Sequence, residues 1–162
     1  MRILNILHDS IVDGVGLRTV IFFAGCPHHC NGCQNPDSWN YSNGNEWTET
    51  EVFVEILQNE LSDVTFSGGE PFLQAKEIAP LANKLKQEGK NIWCYTGYLY
   101  EELLKNHDHA ALLEHIDVLV DGRFNLTKRD LSLCYKGSSN QRIINVPKSL
   151  ENKQGDLILE FH

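Results

Sequence analysis

Along the chain, apolar positions recur at two alternating periods, about two residues and about 3.6 residues, which are the signatures of strands and helices. Arg2 to Leu7 predicts a short strand, and Ser10 to Gly16, with two glycines and an aspartate, predicts a turn. Leu17 to Phe23 is β-branched and aromatic with a continuous apolar end, which predicts a strand buried on both faces. Further strands are expected at 64–66, 92–95, 116–120 and 143–146. Between them, Thr48 with Glu51 three residues later reads as a capping box opening a helix over 51–60. Ile78, Leu81, Ala82 and Leu85 mark one face of a helix over 74–88, and Gly89 supplies its stop. Residues 100–105 and 110–115 predict shorter helical pieces. The stretch 37–47 reads as irregular, with Trp39 and Trp47 expected to pack it onto the domain, and Leu157 to Leu159 as an edge strand. Strands that alternate with helices argue for parallel βαβ units with right-handed crossovers.

Every motif rich in chemistry follows one of these strands. Ligands of parallel sheets bind at the strands' C-terminal ends, so 26–33, Gly68 to Glu70, Thr96 and Asp121 are expected to converge on one mouth. Length changes the picture only by setting its size: 162 residues, 41% of them hydrophobic, suffice for one domain, and the expectation is a single domain over 1–162. No apolar run reaches the roughly 20 residues of a membrane helix and the N-terminus carries no cationic leader, so a soluble cytoplasmic protein is expected, with no membrane partner. A net charge of −8 argues against a nucleic-acid footprint, which needs clustered Lys and Arg.

Three of the five cysteines, Cys26, Cys30 and Cys33, fall in the run Gly25-Cys-Pro-His-His-Cys-Asn-Gly-Cys-Gln-Asn-Pro36. Thiolates spaced in this way on a loop can turn toward one centre, and soft ligands select zinc, copper(I) or iron–sulfur clusters. A disulfide is the least favoured reading, because an odd cysteine count without a leader suits a reducing compartment. A zinc knuckle closed by His28 or His29 is the second. A [4Fe-4S] cluster with three cysteine ligands and one iron open to another ligand is the third. Cys94, inside a strand pattern, is expected to be a buried apolar thiol and Cys134 inert. His107, His109 and His115 share no single helix face and are expected at the surface.

The C-x3-C-x2-C loop after an early strand resembles the signature of radical S-adenosylmethionine (SAM) enzymes, whose open iron takes the amine and carboxylate of SAM. The resemblance extends to Ser67-Gly68-Gly69-Glu70-Pro71, where the family meets the amino group of SAM. A backbone carbonyl and a carboxylate are the acceptors an ammonium group needs. Many members place an aromatic residue before the third cysteine, where this chain has Gly32. That glycine, together with Asp13-Gly14-x-Gly16-x-Arg18, the Trp93-x-Tyr-Thr-Gly-Tyr98 run, Asp117 to Phe124 and Gly137-Ser-Ser-Asn-Gln-Arg142, looks more like the activating proteins of anaerobic ribonucleotide reductases.

The resemblance implies a small open partial (βα) barrel of the radical SAM type, an α/β fold with about five to six mainly parallel strands. It implies Cys26, Cys30 and Cys33 as cluster ligands, and Gly32, Cys33, Gln34, Gly68, Gly69, Glu70, Thr96 and Asp121 as residues at the SAM site, with Asp121 either holding the ribose or ordering its surroundings. The implied chemistry is one-electron cleavage of SAM to methionine and a 5′-deoxyadenosyl radical, which takes a hydrogen atom from a glycine of anaerobic ribonucleoside-triphosphate reductase. An electron donor such as flavodoxin is implied as a second partner. An activase of another glycyl-radical enzyme, such as pyruvate formate-lyase, would share the cysteines and Gly-Gly-Glu but need not keep the later runs. A radical SAM enzyme for a free metabolite, or a zinc-binding interaction module, are the remaining alternatives.

Overall fold

The computed structural model describes residues 1–152; the strand expected at Leu157 to Leu159 lies outside them. Seven strands form one open sheet in the order β3-β1-β2-β4-β5-β6-β7. They are β1 (Arg2–Ser10), β2 (Arg18–Phe23), β3 (Asn45–Glu46), β4 (Asp63–Gly68), β5 (Ile92–Tyr95), β6 (Val118–Asp121) and β7 (Arg142–Asn145). The four central strands, β2, β4, β5 and β6, run parallel as the alternation predicts. At one flank, β7, the expectation fails. β1 is antiparallel to β2 and to β3, and β7, which the sequence places among the parallel βαβ units, is antiparallel to β6. The physical reason is the connection: no α-helix lies between β6 and β7 to carry the chain back to the starting edge, so it returns in the opposite direction. The strand count is seven, above the five or six expected.

The connections between parallel strands carry α1 (Glu49–Leu57), α2 (Ala75–Gln87), α3 (Tyr100–Leu103) and α4 (His107–Leu113), and α5 (Val146–Glu151) follows β7. α1 begins with the expected capping box: Thr48 Oγ1 accepts from Glu51 N at 3.2 Å, and the Glu51 carboxylate accepts from Thr48 N at 2.7 Å. α2 stops at Gly89, whose φ of 75° allows Lys90 N to reach back to the Leu85 carbonyl at 3.0 Å.

Strand alternation divides the buried residues between the two faces of the sheet. Ile21, Phe23, Val64, Phe66, Ile92, Cys94, Leu119 and Ile144 pack with Val52, Ile56, Ile78, Leu81, Leu85, Leu103, Leu112 and Leu113 of the helices in one core. The intervening residues Trp93, Val118, Val120 and Ile143 form a second, smaller cluster with Tyr95 and Tyr135. This second face carries no α-helix of its own among these contacts, only the segment that links β6 to β7. At its far end Arg18, 1% exposed, donates to Thr65 Oγ1, to the carbonyls of Val15 and Val64, and to Asn91. Burial pulls the Arg18 guanidinium down to about 10, with the charge of Asp63 opposing.

Candidate metal and cofactor site

The three-cysteine loop leaves the C-terminal end of β2 and is tied down by backbone bonds on both sides. Gly25 N donates to Ser38 O at 2.7 Å, Cys26 N to Trp39 O at 3.2 Å, and Glu70 N to Gly25 O at 2.8 Å. Positive φ at Gly25, His29 and Gly32 allows the chain to wind within so few residues. Cys26, Cys30 and Cys33 are free thiols, each partly exposed, and all three line one cleft of about 630 Å³. That volume lies within the roughly 300–1,000 Å³ of small-molecule sites. Burial pushes the Cys26 thiol up, opposed by hydrogen bonds from the backbone of His28 and His29. Asn35 N donates to Cys33 Sγ at 3.4 Å, which ties the third cysteine to the chain that follows it.

The donor set fits a cubane iron–sulfur cluster better than zinc. Three thiols share the cleft, while Cys94 is fully buried in the core and Cys134 is exposed and does not line it, so a cubane held by this loop would keep one iron without a thiolate. The two histidines that could complete a zinc knuckle are engaged elsewhere. His28 Nε2 is bonded to the Glu70 carboxylate at 2.7 Å, and the His29 ring stacks on Trp39 with centroids 4.7 Å apart. Among the described residues, no group of three or more His, Cys, Asp or Glu side chains is arranged to hold a single metal ion.

Facing the cysteines across the cleft are Ser67, Gly68 and Gly69 from the end of β4, then Tyr95, Thr96 and Gly97 from β5, and Gly122 after β6. All lie at C-terminal strand ends, as the sequence predicts. The glycines of the turn are demanded by the protein's own backbone. A Cβ on Gly69 would collide with the Gly25 carbonyl oxygen, and one on Gly68 with the backbone of Phe23. The turn is therefore pressed against the root of the cysteine loop, with Gly69 N donating to Phe23 O at 2.8 Å.

The expected site residues divide into two groups. Cys33, Gln34, Gly68, Gly69 and Thr96 line the cleft. Gly32, Glu70 and Asp121 do not. Gly32 backs onto Leu126, Glu70 is 0% exposed, and Asp121, equally buried, accepts from Tyr100 N at 2.8 Å and from Arg142 Nε at 2.9 Å. Asp121 thus orders the ends of β6 and β7 from behind the cleft wall.

Sequence reasoning missed the wall supplied by residues 124–141: Phe124, Tyr135, Lys136, Gly137 and Gln141 all line the cleft. Gln141 holds this segment in place. Its Oε1 accepts from Gly137 N at 2.9 Å and Ser138 N at 3.1 Å, and its Nε2 donates to Gly122 O at 3.0 Å. The Gly137 to Arg142 run stands out in the sequence as a motif, and these bonds give it a role. Lys136, which donates to Gln141 O at 3.1 Å, is the one Lys or Arg among the described lining residues.

A family model described as a 4Fe-4S single cluster domain matches residues 12–144. The chain is 36% identical over 154 residues to the anaerobic ribonucleoside-triphosphate reductase-activating protein of Haemophilus influenzae, spanning 88% of this chain and 97% of that protein. The protein of the same name from Escherichia coli (strain K12) is 36% identical over 143 residues, 82% of this chain and 90% of its own. The one from Enterobacteria phage T4 is 33% identical over 143 residues, with 83% and 87% covered.

Proposed function

Since the chain belongs to the family of anaerobic ribonucleoside-triphosphate reductase-activating proteins, which carries a 4Fe-4S domain, we propose that it is a radical SAM activase that installs a glycyl radical on such a reductase. The observation that carries the reading is the meeting in one cleft of three free thiols from one loop and the Gly68-Gly69 turn from the next parallel strand. We read the chain as one domain and its open sheet, helices on one face and cleft on the other, as the partial barrel that the sequence resemblance implies.

In this reading Cys26, Cys30 and Cys33 each hold one iron and leave the fourth for SAM. When bound, the cluster and SAM would supply the radical chemistry, a one-electron reductive cleavage of SAM whose product would abstract a hydrogen atom from the partner's glycine. The chain's residues bind, orient and shield. Backbone groups at Ser67 to Gly69 and Thr96 line the methionine side, and Lys136 offers the cleft a cation suited to a carboxylate. Gln34 and Asn35 extend the cysteine side of the wall. A donor such as flavodoxin delivers the electron, in an oxygen-poor cytoplasm.

An open cleft suits a protein segment better than a free metabolite, because the partner's own surface can exclude water once it is seated. The test uses protein reconstituted anaerobically with iron and sulfide. The reading expects about four irons and four sulfides per chain by the stoichiometry of a cubane, binding of SAM by calorimetry, and release of methionine and 5′-deoxyadenosine on reduction. Stoichiometric zinc without sulfide in anaerobically purified protein contradicts it and makes the loop a zinc module.

A further inference from the structure

His28 sits between two of the proposed cluster ligands and lines the cleft beside them, yet its side chain is only 3% exposed and its Nε2 is spent on Glu70, which is fully buried. The two residues are 42 positions apart in sequence and bonded at 2.7 Å, His28 Nε2 to Glu70 Oε2. The same carboxylate accepts from Phe72 N at 3.1 Å, from Thr96 Oγ1 at 2.9 Å and from Gly97 N at 2.8 Å. An ionised carboxylate has about four lone-pair sites. Four donors therefore fill it, and it does not line the cleft. The approach is tight as well: a Cβ on Gly97 would collide with the His28 ring, and Tyr98 packs its edge on that ring with centroids 4.6 Å apart.

We infer that His28 is a positioning residue which acts through Glu70. It locks the cysteine loop, the Gly68-Gly69 turn and the Thr96-Gly97 end of β5 into one rigid wall, and Glu70 shapes the SAM site from behind that wall without touching SAM. The inference rests on the SAM reading above. Glu70 is joined to the cysteine loop by its backbone, through Gly25 O, and by its side chain, through His28, while its remaining bonds go to β5 and to the turn before α2. Removing His28 leaves a buried carboxylate with one acceptor site empty and frees the loop from the turn at its tightest point. A site whose ligand is gripped between loop and turn then loses fit, although the three thiols are intact.

The experiment is a double-mutant cycle on the reconstituted protein, with iron and sulfide content, SAM affinity by calorimetry, and the electron paramagnetic resonance spectrum of the reduced cluster as readouts. His28→Leu and Glu70→Gln are each expected to keep full iron and sulfide and to raise the Kd for SAM about tenfold or more, the scale seen when a supporting hydrogen bond is removed. The double variant is expected to be no worse than the weaker single one, and His28→Gln, whose amide can still donate to the carboxylate, to restore most of the affinity. The spectral change that SAM causes in the wild type should shrink in His28→Leu and return in His28→Gln.

Wild-type affinity in His28→Leu beside a loss in Glu70→Gln overturns the inference, and places Glu70 on the ligand directly. Multiplying losses in the double variant overturn it too, since the two residues then act separately. Loss of iron in both His28→Leu and His28→Gln would make the histidine part of cluster binding instead. Failure of the wild type itself to bind SAM is a different result, which ends the proposed function rather than this pairing.

Discussion

Several residues at the site are fixed by what lies behind them. Gly69 has an ordinary φ, so its glycine is needed for closeness: any Cβ meets the Gly25 carbonyl. The collision lies inside the protein, against the root of the cysteine loop. Gly69→Ala is accordingly expected to cost about 1–3 kcal/mol, the range for forcing extra volume into packed structure, and to show in chemical unfolding of the cluster-free protein. Ala at each of positions 26, 30 and 33 should abolish cluster assembly while Cys94→Ala and Cys134→Ala retain it, read as iron and sulfide per chain. The cysteine motif is legible in sequence because its ligands are local, three within eight positions. The His28–Glu70 bond is not, because a contact spanning 42 residues leaves no trace in spacing. Glu70 reads as a ligand in sequence because an acceptor beside a Gly-Gly turn suits an ammonium group; its burial and four donors emerge only when β5 is brought alongside β4.

At the level of elements, the central strands and their helices are legible from periodicity, capping and the glycine stop. The direction of β7 is not, because alternation alone does not reveal whether a segment between two strands folds as a crossover helix or as a wall. Residues 122–141 carry polar turns, short bonds and a single 3-10 turn at Leu126–Lys128, and they close the cleft instead of crossing the sheet. Gln141→Ala should release that wall by leaving two backbone N–H groups without their acceptor, a loss of about 1–3 kcal/mol. Faster hydrogen exchange confined to this segment, with the helical core unchanged, would confirm the local effect.

The antiparallel pairing also sets Arg142 beside Asp121, with its other side against Glu101 at 2.9 Å. The hydrogen bond from Arg142 holds the Glu101 carboxylate below its ordinary value of 4.5. A carboxylate depressed in the folded state stabilises above its unfolded value and loses that contribution as pH falls beneath it. Glu101 is half exposed, so its effect is small, below about 1 kcal/mol. Glu101→Gln should lower the melting temperature by a few degrees or less at pH 7, by the usual size scaling. The difference from wild type should shrink as pH falls below 4.5 and vanish once the folded-state carboxyl is itself protonated.

Taken whole, the molecule presents its cleft at the C-terminal ends of the central strands, and the rim of that opening carries exposed apolar side chains. Val12 and Leu131 line the cleft while remaining 71% and 83% exposed, and Ile11 beside them is 72% exposed. Exposed apolar groups gathered at one opening form a surface that a protein partner can cover. Leu131→Asp is expected to leave iron content and SAM affinity unchanged and to lower activation of the reductase about tenfold, the cost of one well-placed interface residue. No helix among the described residues is long and apolar enough to cross a membrane. In the proposed function this cleft delivers a radical to another protein. The most direct test mixes the reduced, reconstituted protein with SAM and an anaerobic ribonucleoside-triphosphate reductase and records the electron paramagnetic resonance spectrum. The account predicts a doublet from a glycyl radical on the reductase, absent without SAM and absent with Cys30→Ala. Stoichiometric SAM cleavage with no radical on the reductase, accompanied by turnover of a small metabolite, would contradict it.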